Sequence, residues 1–480
     1  MGVERSEADA IYAAGREPVV DALVALSTRL EAQDAQLAAL VERVEELEQR
    51  LKRDSRNSSL PPSHDPPWLG KRGRSRGTGR KQGAQPGHPG HGRTLFPIER
   101  VTDLVDHWPE RCTCGHVFGE GEREPAGAPA RHQVAELPPL AVEISEHRLQ
   151  RVCCPDCGRT VRAGLPTGVP RGCFGPKLEA AIASLTVRNR LSRRQLVELM
   201  EELFGCPIAV GTIDAILSRT AETLEPVYEE LLEQTRAAGA LNIDETGWYL
   251  SGAPRTLWGA FSKETAVLRI APDRGKQHLH GLIGDGFAGI VGSDRFSAYN
   301  SLDPEQRQVC WSHLRRDFTF HADLGLGAQE TFGLDGLEVT WNVFHTWKQF
   351  QRDGDREALQ QRVAVIKQQM RPLLEWGSTG KRQRHVRALA KNLLKLWPAL
   401  WTFADVPDVE PTNNAAERGL RAAVIYRKLS LGSRSQGGER TIERLLSVDQ
   451  TCRLQRRSLF GYISDVLAAR TRGDPIPTLA

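Results

Sequence analysis

At 480 residues, of which 40% are hydrophobic and 26% charged, the chain is long enough for roughly three domains and apolar enough to bury a core in each, which excludes a wholly disordered protein. Its 64 Lys and Arg against 60 Asp and Glu leave a formal charge of +4, so bulk charge points to no partner. No apolar run approaches the ~18 residues of a membrane span, and the N-terminus lacks a basic-then-apolar leader, so a cytoplasmic protein with no membrane partner is expected.

Charge distribution is more informative. Residues 66–98 hold seven Lys/Arg and no carboxylate, and residues 413–457 hold ten basic against four acidic side chains, as local contacts with a polyanion require. The nine cysteines are odd in number and four form close pairs, a pattern of metal binding in a reducing compartment rather than of disulfides.

Residues 1–55 read as a coiled coil. Leu23, Leu30, Leu37, Val44 and Leu51 recur every seven residues, with Leu26, Leu40 and Leu47 at the offset position and Gln33 in the seam. That spacing keeps one face toward a partner helix, so a homodimer or higher assembly is expected. Residues 56–98 form a basic Pro/Gly-rich linker, beginning with Asn57-Ser58-Ser59-Leu60-Pro61-Pro62-Ser63, whose Lys and Arg could neutralise DNA phosphates.

Residues 99–172 carry Cys112-Thr113-Cys114-Gly115 and Cys153-Cys154-Pro155-Asp156-Cys157-Gly158. Cys112, Cys114, Cys154 and Cys157 could close a structural tetrahedral zinc site, with Cys153 as a substitute ligand; buried, unligated thiols are the other reading. Residues 173–236 are helical. Leu191–Met200, a break at Phe204–Ile208 and a second helix from Val210 match a helix-turn-helix, although many helical hairpins bind nothing.

From 237 to 318 the order is strand (240–243, ending at Asp244), strand (256–261), strand (266–270), helix (276–283), strand (289–293, delivering Asp294), a helical piece, a short strand (308–311) and a basic helix (313–318). This is the order of a ribonuclease-H-like α/β domain. Carboxylates on its adjacent central strands, joined by one from a helix, could hold two magnesium or manganese ions about 3.5–4 Å apart for phosphoryl transfer. The third candidate is Glu417 in Asn413-Asn414-Ala415-Ala416-Glu417-Arg418. Its spacing equally suits a capping box under Asn414 and an ion pair with Arg421, and from spacing alone the cap is preferred. Residues 319–410, with Trp341, Trp347, Trp376, Trp397 and Trp401, read as an inserted helical bundle with an aromatic core. Residues 411–472 complete the catalytic domain, and 473–480 form a tail.

These motifs occur together and in order: the Asn57 segment, Gln85-Pro86-Gly87-His88-Pro89-Gly90-His91, the cysteine pairs, Asp244-Glu245-Thr246, Asp294 followed by Tyr299, Cys310-Trp311-Ser312-His313-Leu314-Arg315-Arg316, Asn413–Arg418 and Leu446–Leu454. Over about 57–470 the chain resembles the insertion-sequence-66 family of bacterial DDE transposases. The resemblance implies that Asp244, Asp294 and Glu417 are the acidic triad, with Asp244 bridging two ions and the others completing one each. It also implies that the cysteine module and helix-turn-helix read terminal inverted repeats, that 3′ hydroxyls are joined to target DNA, and that small accessory proteins of the element take part. Two positions depart from the family pattern: Arg295, where glycine is usual, and Asp317, where a basic residue is commoner. Arg418, Arg421, Lys428, His313 and Arg315 are candidate DNA contacts. A DNA-binding regulator or inactive relic, and a nuclease that cuts without joining, are the competing expectations.

Overall fold

The computed structural model describes residues 5–51, 53–54, 57, 94–138, 140–324, 327–379 and 384–479. Most of the basic linker, including Gln85–His91, lies outside them. The chain divides into two compact units, one of Met1–Pro66, Glu146–Glu198 and Ile208–Ala480, the other of Pro67–Ser145 and Leu199–Pro207.

Helix α1 (Arg5–Ala13) precedes the 36-residue α2 (Arg16–Leu51). Along α2 the heptad positions Leu23, Leu30, Leu37 and Val44, and the offset positions Leu26, Leu40 and Leu47, are all exposed in the single chain. A two-stranded hairpin, β1 (Arg151–Cys153) and β2 (Thr160–Arg162), comes next. Helices α3 (Pro176–Val187), α4 (Arg193–Phe204), α5 (Val210–Thr223) and α6 (Glu225–Arg236) lead into the main sheet.

That sheet comprises β3 (Ala240–Leu250), β4 (Ala253–Phe261), β5 (Ala266–Ala271), β6 (Ile290–Ser293) and β7 (Arg307–Val309), with α7 (Lys276–Ile283) between β5 and β6. The spatial order is β5-β4-β3-β6-β7; β3, β6 and β7 run parallel and the β3–β4–β5 pairs antiparallel. The first strand of the domain is therefore central and the fourth lies beside it, as the sequence order predicts.

The sequence reading ends β3 at Asp244, but the strand continues six residues further, to Leu250. The polar run Asp244-Glu245-Thr246 stays in the strand because Asp244 to Leu250 pair with Gly259 to Ala253. Ser251 (φ 49°) and Gly252 (φ 88°) close this hairpin in a two-residue turn, which needs positive φ at both central positions.

After α8 (Trp311–Leu324), the insertion consists of α9 (Ala328–Asp353), α10 (Arg356–Ser378), α11 (Arg384–Lys395) and the short α12 (Thr402–Asp405). Its core joins Trp311, Phe318, Phe332 and Trp401, with Trp347, Trp376 and Trp397 packed against it. Trp341 is different: 63% exposed, it stacks on His345 at 4.9 Å.

Helices α13 (Asn414–Ser430), α14 (Gln436–Leu454) and α15 (Leu459–Arg472) complete the fold. Helix α14 seals the sheet edge with side chains four residues apart. Glu443, Ser447 and Thr451 accept from the backbone N–H groups of Ile270, Leu268 and Ala266 at 2.6, 2.8 and 3.0 Å. The outward donors of edge strand β5 are thereby satisfied without a sixth strand.

Candidate active site

Parallel pairing of β3 with β6 ends at Asn242 opposite Gly292, and Asp244 and Asp294 each lie two residues beyond that pair. Asp294 is held by its own turn, its Oδ1 accepting the Phe296 N–H at 2.8 Å. From the neighbouring strand, the Arg307 guanidinium donates to the Asp294 carbonyl oxygen at 3.2 Å.

Glu417 reaches the site because the start of α13 is tied to the sheet. The Asn413 side-chain amide, 1% exposed, donates to the Ile243 carbonyl at 2.9 Å, one residue before Asp244. Its backbone N–H donates to the buried Cys310 sulfur at 3.3 Å, and the Trp311 N–H donates to the Pro411 carbonyl at 2.9 Å. Two residues past Glu417, a Cβ on Gly419 would lie 2.2 Å from the Phe261 ring, so only glycine lets α13 approach β4 this closely.

The capping-box expectation for Glu417 is therefore corrected. Asn413 occupies the N-cap position without a side-chain cap bond, and its amide serves β3 instead. The Glu417 carboxylate faces His313 Nε2 and Arg316, 3.6 Å from each, rather than capping the helix or pairing with Arg421. Glu417 Oε1 is buried and has no hydrogen-bond partner. A tertiary environment rich in cations and open donor positions outweighs the local cap.

The acids share one electrostatic neighbourhood. Burial, then repulsion from Glu245, Asp294 and Glu417, pushes the Asp244 carboxyl up to about 7, while His313 opposes the rise. Burial works against a charged His313, but Cys310 and Asp294 favour it and raise it to about 9. Glu245 is raised by burial and by Asp294, against hydrogen bonds from Tyr299 and Arg274.

Among the described residues, no group of three or more His, Cys, Asp or Glu side chains stands ready around a common metal position. The donor set still fits a hard divalent cation: carboxylates from two adjacent strands and a helix, mutually destabilised, with one buried oxygen lacking a partner.

Of the candidate DNA contacts, Arg418, Arg421 and Lys428 lie exposed along α13, and Arg315 is exposed on α8 with its guanidinium over Phe344. His313, the fifth candidate, lies 3.6 Å from Glu417. Sequence reasoning assigned no role to Glu245, Tyr299, Arg274, Arg307, Arg316 or Asn413. Glu245, Tyr299, Arg316 and Asn413 stood inside the motifs; nothing local marked Arg274 or Arg307.

The two cysteine knuckles have parallel backbone designs. In one unit, the Cys112 N–H donates to the His116 carbonyl at 2.8 Å and Gly115 takes φ +101°. In the other, the Cys154 N–H donates to the Arg159 carbonyl at 2.8 Å and Gly158 takes φ +69°. Hydrogen bonds from Cys114 and Thr113 hold the Cys112 thiol below its ordinary value, and those from Cys157 and Asp156 do so for Cys154. The Cys153 thiol donates to the Gly158 carbonyl at 3.4 Å.

Helices α4 and α5 flank a break in which Gly205 is left-handed, at φ +58°. Arg219, the one basic residue of α5, pairs with Glu179 at 2.6 Å, and the exposed Asp214 accepts from Arg193 at 3.2 Å.

A five-stranded sheet in this order, with one acid within the central strand β3, a second just after the adjacent parallel strand β6 and a third on a later helix, is an α+β arrangement consistent with a ribonuclease-H-like domain. Residues 171–441 match the Transposase IS66 family, and the chain belongs to that family. Residues 11–94 match a family of unknown function, DUF6444. Three relatives from Sinorhizobium fredii are named only as uncharacterized proteins. y4hP is 24% identical over 80% of this chain and 74% of its own length. y4qI is 24% identical over 55% of this chain and 50% of its own length. y4jD is 25% identical over 55% and 56% respectively. No described helix is long and apolar enough to cross a membrane.

Proposed function

We propose that the chain binds the terminal inverted repeats of a bacterial insertion sequence, cleaves at its ends and joins the freed 3′ hydroxyls to target DNA. Asp244, Asp294 and Glu417 are the acids that hold two magnesium or manganese ions. The observation that carries this reading is Glu417: an otherwise ordinary first-turn glutamate is turned inward, its Oε1 buried without a hydrogen bond, in the same field as Asp244.

When bound, the ions supply an activated water or hydroxyl nucleophile and neutralise charge on the leaving oxygen. The chain's own work is positioning. β3 and the turn after β6 present Asp244 and Asp294, and Asn413 fixes the start of α13 so that Glu417 faces them. His313 and Arg316 orient Glu417 by charge at 3.6 Å. Arg315 on α8 and Arg418, Arg421 and Lys428 on α13 offer phosphate contacts.

Reading of the element's ends falls to α4–α5 and the cysteine module. Because Arg219 is paired and Asp214 is acidic, α5 contributes base or shape contacts, and phosphate attraction comes from neighbours such as the exposed Arg194. The Cys112–Cys114 and Cys154–Cys157 knuckles each offer two thiolates of the kind a structural zinc ion takes. The exposed seam of α2 pairs two copies, bringing two transposon ends together, and small proteins of the same element assist.

The test is an in vitro reaction of purified protein, magnesium and labelled end DNA with a target plasmid. Joined products that disappear with Asp294→Asn or Glu417→Gln support the transposase. Cleavage without joining supports a nuclease, and end binding without either product supports a regulator or relic.

A further inference from the structure

Glu245 and Tyr299 stand in the sequence motifs beside the two aspartates, yet neither belongs to the acidic triad. In the structure they meet. Tyr299, completely buried, donates its hydroxyl to Glu245 Oε2 at 2.7 Å. Arg274 donates to the other oxygen, Oε1, and the Glu245 side chain is only 1% exposed.

Both partners lead back to Asp294. The Arg274 guanidinium lies 3.9 Å from the centroid of the Phe296 ring, and the Phe296 N–H is the donor that fixes Asp294 Oδ1. The Tyr299 ring sits under Arg307, 5.8 Å away, and Arg307 holds the Asp294 carbonyl. Successive residues of an extended strand point to opposite faces of the sheet, so β3 uses Asp244 on one side and Glu245 on the other.

We propose that Glu245 is a positioning residue for the strand-cleaving reaction: with Tyr299 and Arg274 it clamps the 294–299 segment from the far face of the sheet, so that Asp294 stays alongside Asp244. This rests on reading Asp244 and Asp294 as metal-holding acids. Both Glu245 oxygens are occupied, so it is not itself a ligand. The carboxylate accepts from both partners and carries the charge that faces Arg274; an amide is neutral and keeps only one acceptor, so it cannot accept from the guanidinium and the Tyr299 hydroxyl with separate oxygens.

The test uses the full chain carrying Glu245→Gln, Tyr299→Phe, Arg274→Gln or Arg274→Lys. Manganese bound to the protein is counted from loss of the free-ion electron paramagnetic resonance signal, and the magnesium midpoint of end cleavage is measured in parallel. Glu245→Gln and Arg274→Gln are expected to weaken manganese binding and raise the magnesium midpoint about tenfold or more, as loss of an outer support commonly does. Tyr299→Phe should shift both in the same direction, and Arg274→Lys should recover most of the loss. Should Glu245→Gln fail to fold, Tyr299→Phe and the Arg274 pair decide.

Wild-type manganese affinity in these variants, while Asp244→Asn binds none and is inert, overturns the clamp alone. Lost activity with unshifted metal binding overturns it too. Activity retained by Asp244→Asn overturns the reading on which the clamp rests.

Discussion

Arg295 and Asp317 form an ion pair at 2.6 Å, from the turn that follows Asp294 to helix α8. These are the two positions that the sequence reading set apart from the pattern of the family it resembles, and each supplies the partner of the other. The Arg295 guanidinium also donates to Asn392 on α11 at 2.8 Å, tying the insertion to the segment that carries the second acid. Arg295→Ala and Asp317→Ala should each lower activity. Their double-mutant cycle should show a coupling of about 0.5–3 kcal/mol in unfolding free energy. The exchanged pair Arg295→Asp with Asp317→Arg should recover part of the loss, which a mixture of independent surface effects would not produce.

Asn413→Ala removes the donor to the Ile243 carbonyl and should cost about 1–3 kcal/mol by denaturant unfolding. Because that bond sets α13 against β3, end cleavage should fall further than stability does. Asn414→Ala should do neither, since Asn414 is not the cap that its spacing suggests.

How far the sequence is legible depends on which force governs each position. The apolar runs of β4, β5 and β6 and the span of α7 follow directly from periodicity, because burial alone sets them. The strand from Asp244 to Leu250 does not, because polar residues in a strand look like a loop until the pairing partner Ala253–Gly259 is known. Asp244 and Asp294 are visible as acids after apolar strands. Glu417's orientation is not, because its partners His313 and Arg316 lie about a hundred residues earlier. The clamp at Glu245 depends on Arg274, which no local pattern marks, and the Arg295–Asp317 pair joins positions 22 residues apart.

The edge seal of α14 predicts a pH effect. Burial pushes the Glu443 carboxyl up to about 7, above its ordinary 4.5. A carboxyl raised by folding contributes stability that is full below its unfolded value and is lost as pH rises through about 7. The wild type should therefore lose stability between pH 5 and 8, on the order of 1–3 kcal/mol from this group. Glu443→Gln keeps an acceptor for Ile270, so its melting temperature should change less over the same window. An identical pH slope in the two proteins would show that the carboxyl is not destabilised there.

Helix α2 exposes its heptad leucines in the isolated chain. Leu30→Asp combined with Leu37→Asp should convert an associated species to a monomer in light scattering, with the melting of the catalytic domain unchanged. An unaltered mass would mean that association, if any, uses another surface.

The central claim is that Asp244, Asp294 and Glu417 act together in DNA transposition. The most direct measurement is excision and integration in cells of a marked element bearing its native ends and neighbouring reading frames, with wild type and Asp244→Asn at equal protein levels. Movement with the wild type and none with the variant is the predicted result. Equal movement with both would contradict it.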